Sequence, residues 1–158
     1  MNPEILERTE MILAGVAANS ASVTDMDIAG LWDRFIDLCP NIPNQVNTNV
    51  NYELHIEEDR TLRMHFCLIG VEVSQADTLP IEVFYKIVPA GKYALYTHHF
   101  KDGSYGQAFK AVYDWLAASH YEPAHAFDIQ CYDARFKGPE DPESVLEILV
   151  PLVLKDET

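Results

Sequence analysis

Two capped, amphipathic helices, each preceded by one strand-like run and followed by two, constrain this chain more than any other feature. Thr24 and Asp27 stand as a T-x-x-D capping box ahead of Ile28, Leu31, Trp32, Phe35 and Leu38, which recur at helical spacing. Pro40 closes that helix. Ser104 and Gln107 form a second box ahead of Tyr105, Ala108, Phe109, Val112 and Leu116, with Trp115 beside the stripe and a stop near Ser119. "MILAGVAANS" precedes the first helix, and "NYELHIEE" and "TLRMHFCLIGVEV" follow it as a hairpin across the acidic turn "EEDRT". "IEVFYKIV" leads through Pro89, Ala90 and Gly91 into "KYALYTHHF" before the second helix, and "AFDIQCYDARF" and "VLEILVPL" come after it. The sequence therefore predicts one α+β domain in two similar halves, about 1–78 and 79–158, each strand–helix–strand–strand. Such halves form an antiparallel sheet with both helices on one side and a central ligand groove. The Asn-rich stretch "NIPNQVNTNVN" reads as a connection.

At 158 residues the chain fits a single domain. A domain of this size buries roughly 70% of its unfolded surface, so it folds without disulfides or metal. Twenty-five acidic residues against 11 basic ones give a net charge of -14. That balance argues against direct nucleic-acid binding and against anionic membranes, both of which need basic patches, and it favours cationic small molecules. No apolar run approaches the ~18 residues of a membrane span, and "MNPEILERTE" lacks the basic and apolar regions of a signal peptide. Cys39, Cys67 and Cys131 sit in apolar contexts with no C-x-x-C pair, and read as small buried residues. The expected setting is a reducing cytoplasm.

The residues that could carry chemistry are few. His98 and His99 are adjacent and so point to opposite strand faces, and no H-x-x-x-H or C-x-x-C spacing marks a metal site. No G-x-S-x-G elbow or Gly-rich phosphate loop is present. The sequence thus calls for no metal, no cofactor and no catalytic group. In the penultimate strand, Phe127, Ile129 and Cys131 share one face, while Asp128, Gln130 and Tyr132 share the other. Asp128, near the strand start, reads as solvated. Gln130 and Tyr132 read equally well as pocket or as solvated. Trp32 and Trp115 occupy similar places in the two helices, and Tyr52, Phe66 and Tyr96 lie in strands; each is a core residue or a groove wall. Glu147 stands alone in the apolar "VLEILVPL", where a buried carboxylate must be paired, neutralised or wet. With apolar neighbours on both sides, it is expected to point into the groove with no Arg or Lys in contact.

"GLWDRF", the "IPN" loop, "IGVEVS", "VPAGKYALYT", "AVYDWLAASHYEP", "YDARF" and "EILVPL", in that order, resemble the GyrI-like, or AraC-type, effector-binding domain. The stand-alone and integron-associated members are the nearest in form, and the likeness covers nearly the whole chain. It implies two strand–helix–strand–strand modules with a ligand groove between them. It also implies a lipophilic cation held between aromatic walls over an acidic base, the place it gives Glu147. Members commonly carry a Glu in the penultimate strand, where this sequence has Gln130. The expected function is a sensor or sequestering protein for such a molecule, working through a protein partner and without its own DNA-binding domain. The resemblance carries two alternatives: a hydrolase of reactive small molecules using Glu147 and Tyr132, or a gyrase-inhibitor-like interaction protein.

Overall fold

A computed structural model describes residues 2–59 and 64–156. The described chain runs β1 (Glu4–Arg8), β2 (Met11–Ser20), α1 (Ile28–Leu38), β3 (Asn51–Asp59), β4 (Met64–Val73), β5 (Phe84–Val88), β6 (Gly91–His99), α2 (Tyr105–Ala118), β7 (Tyr121–Pro123), β8 (Phe127–Tyr132) and β9 (Val145–Leu154). Among the described residues the strands form one antiparallel sheet in the order β1-β6-β9-β8-β3-β4-β2-β5, with β7 also paired to β9. Exchanging each of these eight strands for its counterpart in the other half (β1 for β5, β2 for β6, β3 for β8, β4 for β9) reverses this order onto itself. The two halves meet at the β3–β8 pair, and each lends the other an edge: β1 to β6 and β5 to β2.

Strand parity decides what each face buries. Cys67, Ile69, Val71 and Val73 of β4 meet Leu31 and Phe35 of α1. Leu146, Ile148, Val150 and Leu152 of β9 meet Ala108, Val112 and Leu116 of α2. Both helices therefore lie on one face, as the amphipathic patterns require. The opposite face has a core of its own, built from Leu13, Leu54, Leu68, Tyr93, Ile129 and Leu149.

The second helix starts as its sequence predicts. Ser104 and Gln107 exchange both bonds of a capping box, with the Ser104 amide donating to Gln107 Oε1 over 2.8 Å. Gly103 precedes them at φ 148°, and a Cβ there would lie 2.1 Å from that same oxygen. The first helix differs from expectation. Its cap is Asp27, whose side chain accepts from the Gly30 amide at 3.0 Å, because residues 23–25 are already wound into a 3₁₀ turn. Strands β1 and β7 were not expected, since both are short and largely exposed. The turn expected at "EEDRT" falls partly on residues 60 and 61, outside the described residues.

Candidate functional site

A cavity of about 1090 Å³ opens between the two helices, over the β3–β8 seam. Direct cross-strand pairing sets its floor: Asn51 lies opposite Tyr132, Glu53 opposite Gln130, and His55 opposite Asp128. Ile28 and Trp32 of α1 form one wall, and Tyr105 and Phe109 of α2 the other, each pair four residues apart on one helix stripe. The segment from Asp133 to Pro139 closes one end with Ala134 and Phe136. Three carboxylates, Glu53, Asp128 and Asp133, lie in this lining. Among the described residues no lysine or arginine does.

Glu53 is the centre of the floor. It is only 5% exposed, and each of its oxygens is held. Trp32 donates from Nε1 to Oε1 at 2.7 Å, and His55 Nε2 lies 2.7 Å from Oε2. His55 Nδ1 lies in turn 2.8 Å from His65 Nε2. Burial disfavours charge on the His55 imidazole, but its contacts with Cys67 and Glu53 outweigh that and push it up to about 10. His65 is held below its ordinary value by its own burial and then by the charge on His55. The assignment that follows is a neutral His65 accepting from a protonated His55, which donates to the Glu53 carboxylate. A buried charge pair, hydrogen-bonded at both ends, thus lies at the base of an aromatic cavity.

On the other side of the seam, Gln130 and Tyr132 form a polar, uncharged pair. Tyr132 donates its hydroxyl to Gln130 Oε1 at 2.6 Å, and Tyr105 Oη approaches Tyr132 Oη at 3.4 Å. Burial, then the charge on Glu53, drives the Tyr132 phenol far up, so it stays protonated. The Tyr132 ring meets Trp32 edge-on at 5.1 Å and Phe136 at 4.8 Å. Asp128 accepts from the Tyr113 hydroxyl at 3.0 Å, and burial raises its carboxyl above the usual range. Asp128 therefore belongs to the cavity and is not a freely solvated strand end.

A family model for the GyrI-like small molecule binding domain matches residues 1–153. The chain belongs to the GyrI-like family. Over 153 residues, 96% of its length, this GyrI-like chain is 30% identical to the transcriptional regulator BrlR of Pseudomonas aeruginosa. It spans about half of that relative, 56% of its length. Among solved structures it resembles SAV2435 bound to tetraphenylphosphonium, with a TM-score of 0.72 at 15% identity, covering 97% of this chain and 94% of the other. It also resembles the integron cassette protein VCH_CASS2 from the mobile metagenome of Vibrio cholerae, with a TM-score of 0.62 at 18% identity and 96% of both chains. At these identities the two structures speak to the fold.

The GyrI-like fold sorts the residues picked out from sequence. Trp32, Gln130 and Tyr132 line the cavity. Tyr52 and Phe66 lie on the opposite face, in or against its core, with Lys86 Nζ 4.9 Å from the Phe66 ring centre. Trp115 and Tyr96 pack against the core beneath α2, outside the cavity lining. Glu147 needs the largest correction. It lies directly across from Cys131 and shares a strand face with Leu149, away from both helices. It does have a basic partner: Arg135 Nη2 is 2.6 Å from Glu147 Oε1 and 2.7 Å from Asp133 Oδ2. The hydrolytic alternative requires Glu147 and Tyr132 to meet, and the sheet puts them on opposite faces. Changing Glu147 to Gln is accordingly expected to leave cavity binding within about twofold of wild type, measured by ligand titration, with a stability loss under ~1 kcal/mol for a partly exposed pair.

Glu53 and His55 are what the sequence reading missed. The signal was present: alternation that puts Tyr52, Leu54 and Ile56 on one face puts Glu53, His55 and Glu57 on the other.

Proposed function

We propose that this small-molecule-binding domain takes a lipophilic monocation into the cavity, as a sensor or sequestering protein, with Glu53 as its acidic anchor. One observation carries the reading: a 5% exposed carboxylate at the base of a roomy, aromatic-walled cavity whose described lining holds no lysine or arginine. Trp32 and Tyr132 offer ring surface beside that carboxylate, and a desolvated cation over such rings gains ~2 kcal/mol. Burial of the ligand's apolar surface adds ~25 cal/mol per Å². The net charge of -14 raises the local concentration of cations around the mouth. The bound tetraphenylphosphonium of SAV2435 and the regulatory role of BrlR support the same assignment. A transcriptional output would come through whatever effector unit the domain works with.

Titration with tetraphenylphosphonium tests this directly. The expected result is saturable quenching of tryptophan fluorescence, with thermal stabilisation of ~2.7 kcal/mol at a hundred times the dissociation constant. Unchanged fluorescence together with an unchanged melting temperature at millimolar ligand would overturn the reading.

A further inference from the structure

The cavity floor is unequal across its seam. On β3, Glu53 and His55 make a charged pair; across the seam on β8, Gln130 lies opposite Glu53 and pairs with the neutral Tyr132, while Asp128 lies opposite His55. The Gln130 side chain is fixed by that neutral pair. Its Oε1 accepts the Tyr132 hydroxyl, so its Nε2 is turned the other way, and among the described residues nothing accepts from it. Gln130 is 6% exposed and lines the cavity, so the open direction for that NH₂ group is the cavity itself. Asn49 and Asn51 also carry amides, but Asn49 is exposed and Asn51 only begins its strand, whereas Gln130 faces Glu53 squarely across the seam. Side chains directly opposite on an antiparallel pair start from Cβ atoms roughly 5 Å apart. A donor with no acceptor among the described residues thus stands within one small functional group's reach of a carboxylate.

We infer that Gln130 is a specificity residue, presenting a hydrogen-bond donor beside the anionic anchor and so selecting cations that carry a hydrogen-bond acceptor next to their positive centre. This rests on the cationic reading proposed above and refines it. A ligand with a carbonyl carbon two bonds from its cationic nitrogen places the positive group at Glu53 and the carbonyl oxygen at Gln130 Nε2. A ligand with only hydrocarbon there leaves the amide without a partner once water is excluded, which is the costly case.

Two matched probes separate these outcomes: phenacyltrimethylammonium and phenethyltrimethylammonium, which differ by a carbonyl in place of a methylene. Wild-type protein is expected to bind the ketone roughly fivefold more tightly, the ratio one neutral hydrogen bond supplies. Gln130→Glu keeps the acceptor for Tyr132 and the size of the side chain but removes the donor. In that variant both probes gain from the added charge, and the preference for the ketone is lost. Gln130→Met provides a second, uncharged removal of the donor, with the same loss of preference expected. Equal binding of the two probes to wild type, or a preference that survives both substitutions, would overturn the inference and leave the cationic reading standing. Binding of neither probe, nor of tetraphenylphosphonium, would overturn the cationic reading and this inference with it.

Discussion

Replacing His55 by alanine is expected to lower the melting temperature by roughly 6–20 °C at pH 7 while tightening tetraphenylphosphonium binding by roughly two orders of magnitude. The two effects share one cause. His55 is the counter-charge to Glu53, at 2.7 Å, in a site where both side chains are largely buried. Taking away one partner of a buried pair costs about 3–5 kcal/mol, because the remaining charge is stranded. In a domain of this size each kcal/mol moves the melting temperature by roughly 2–4 °C. The stranded carboxylate is nevertheless a better cation site, since a positive charge about 5 Å away at an effective dielectric near 20 opposes a ligand by ~3 kcal/mol. The groups around His55 fix the sign of its pH dependence. Glu53 and Glu57 on β3 and Asp128 on β8 are acidic, His65 and Cys67 on β4 face it, and the Tyr113 hydroxyl from α2 reaches it only through Asp128.

The folded protein holds the His55 proton up to about pH 10, against ~6.5 when unfolded. Between those limits the native state binds more protons, so the stability His55 contributes is complete below pH ~6.5 and is lost as pH rises toward 10. The wild-type melting temperature should fall more steeply than that of His55→Ala over this window. Cation affinity should rise over the same window, because the ligand and the His55 imidazolium compete for the Glu53 carboxylate. A variant that melts with wild type, or that binds the cation less well, would remove His55 from this role.

Glu53→Gln should weaken tetraphenylphosphonium binding roughly 10–100-fold, the loss of a charged interaction worth ~1.5–3 kcal/mol. The glutamine oxygen can still accept from Trp32 Nε1, so the wall beside it is kept. His55, without its carboxylate, should return toward its ordinary range, and the rise of affinity with pH should disappear. A neutral aromatic of similar size should bind both proteins alike. Equal loss for charged and neutral ligands would mean that the substitution reshaped the cavity and did not discharge it.

What could be read from the sequence divides along physical lines. The second helix was legible to its cap, because Ser104 and Gln107 act within four residues of each other. The first cap was misread by one candidate: Thr24 and Asp27 fit the same motif, and only the 3₁₀ turn at residues 23–25 leaves Asp27 as the cap. Face parity placed Gln130 and Tyr132 together correctly, since it needs no tertiary information. Parity does not say which face of a strand looks toward the helices. On β3 both faces are covered, Tyr52 and Leu54 by the far core and Glu53 by the cavity, so its aromatic side drew attention from its acidic one. Glu147 looked isolated because its neighbours within the strand are apolar. Its partner Arg135 comes from the loop ahead of the strand, twelve positions earlier, a contact that local periodicity cannot show.

The exchanged edge strands bear on how the protein reaches its folded state. Glu4 pairs with Leu95 and Met11 with Val88, so neither half can complete its sheet while the other is unstructured. The seam that floors the cavity joins the same two halves. Contacts so distant along the chain form only after long loops have closed, which slows folding and favours a single cooperative transition. Pocket and fold should therefore appear together in refolding experiments, with ligand capture tracking the final, slow phase and no half-built intermediate able to hold the guest.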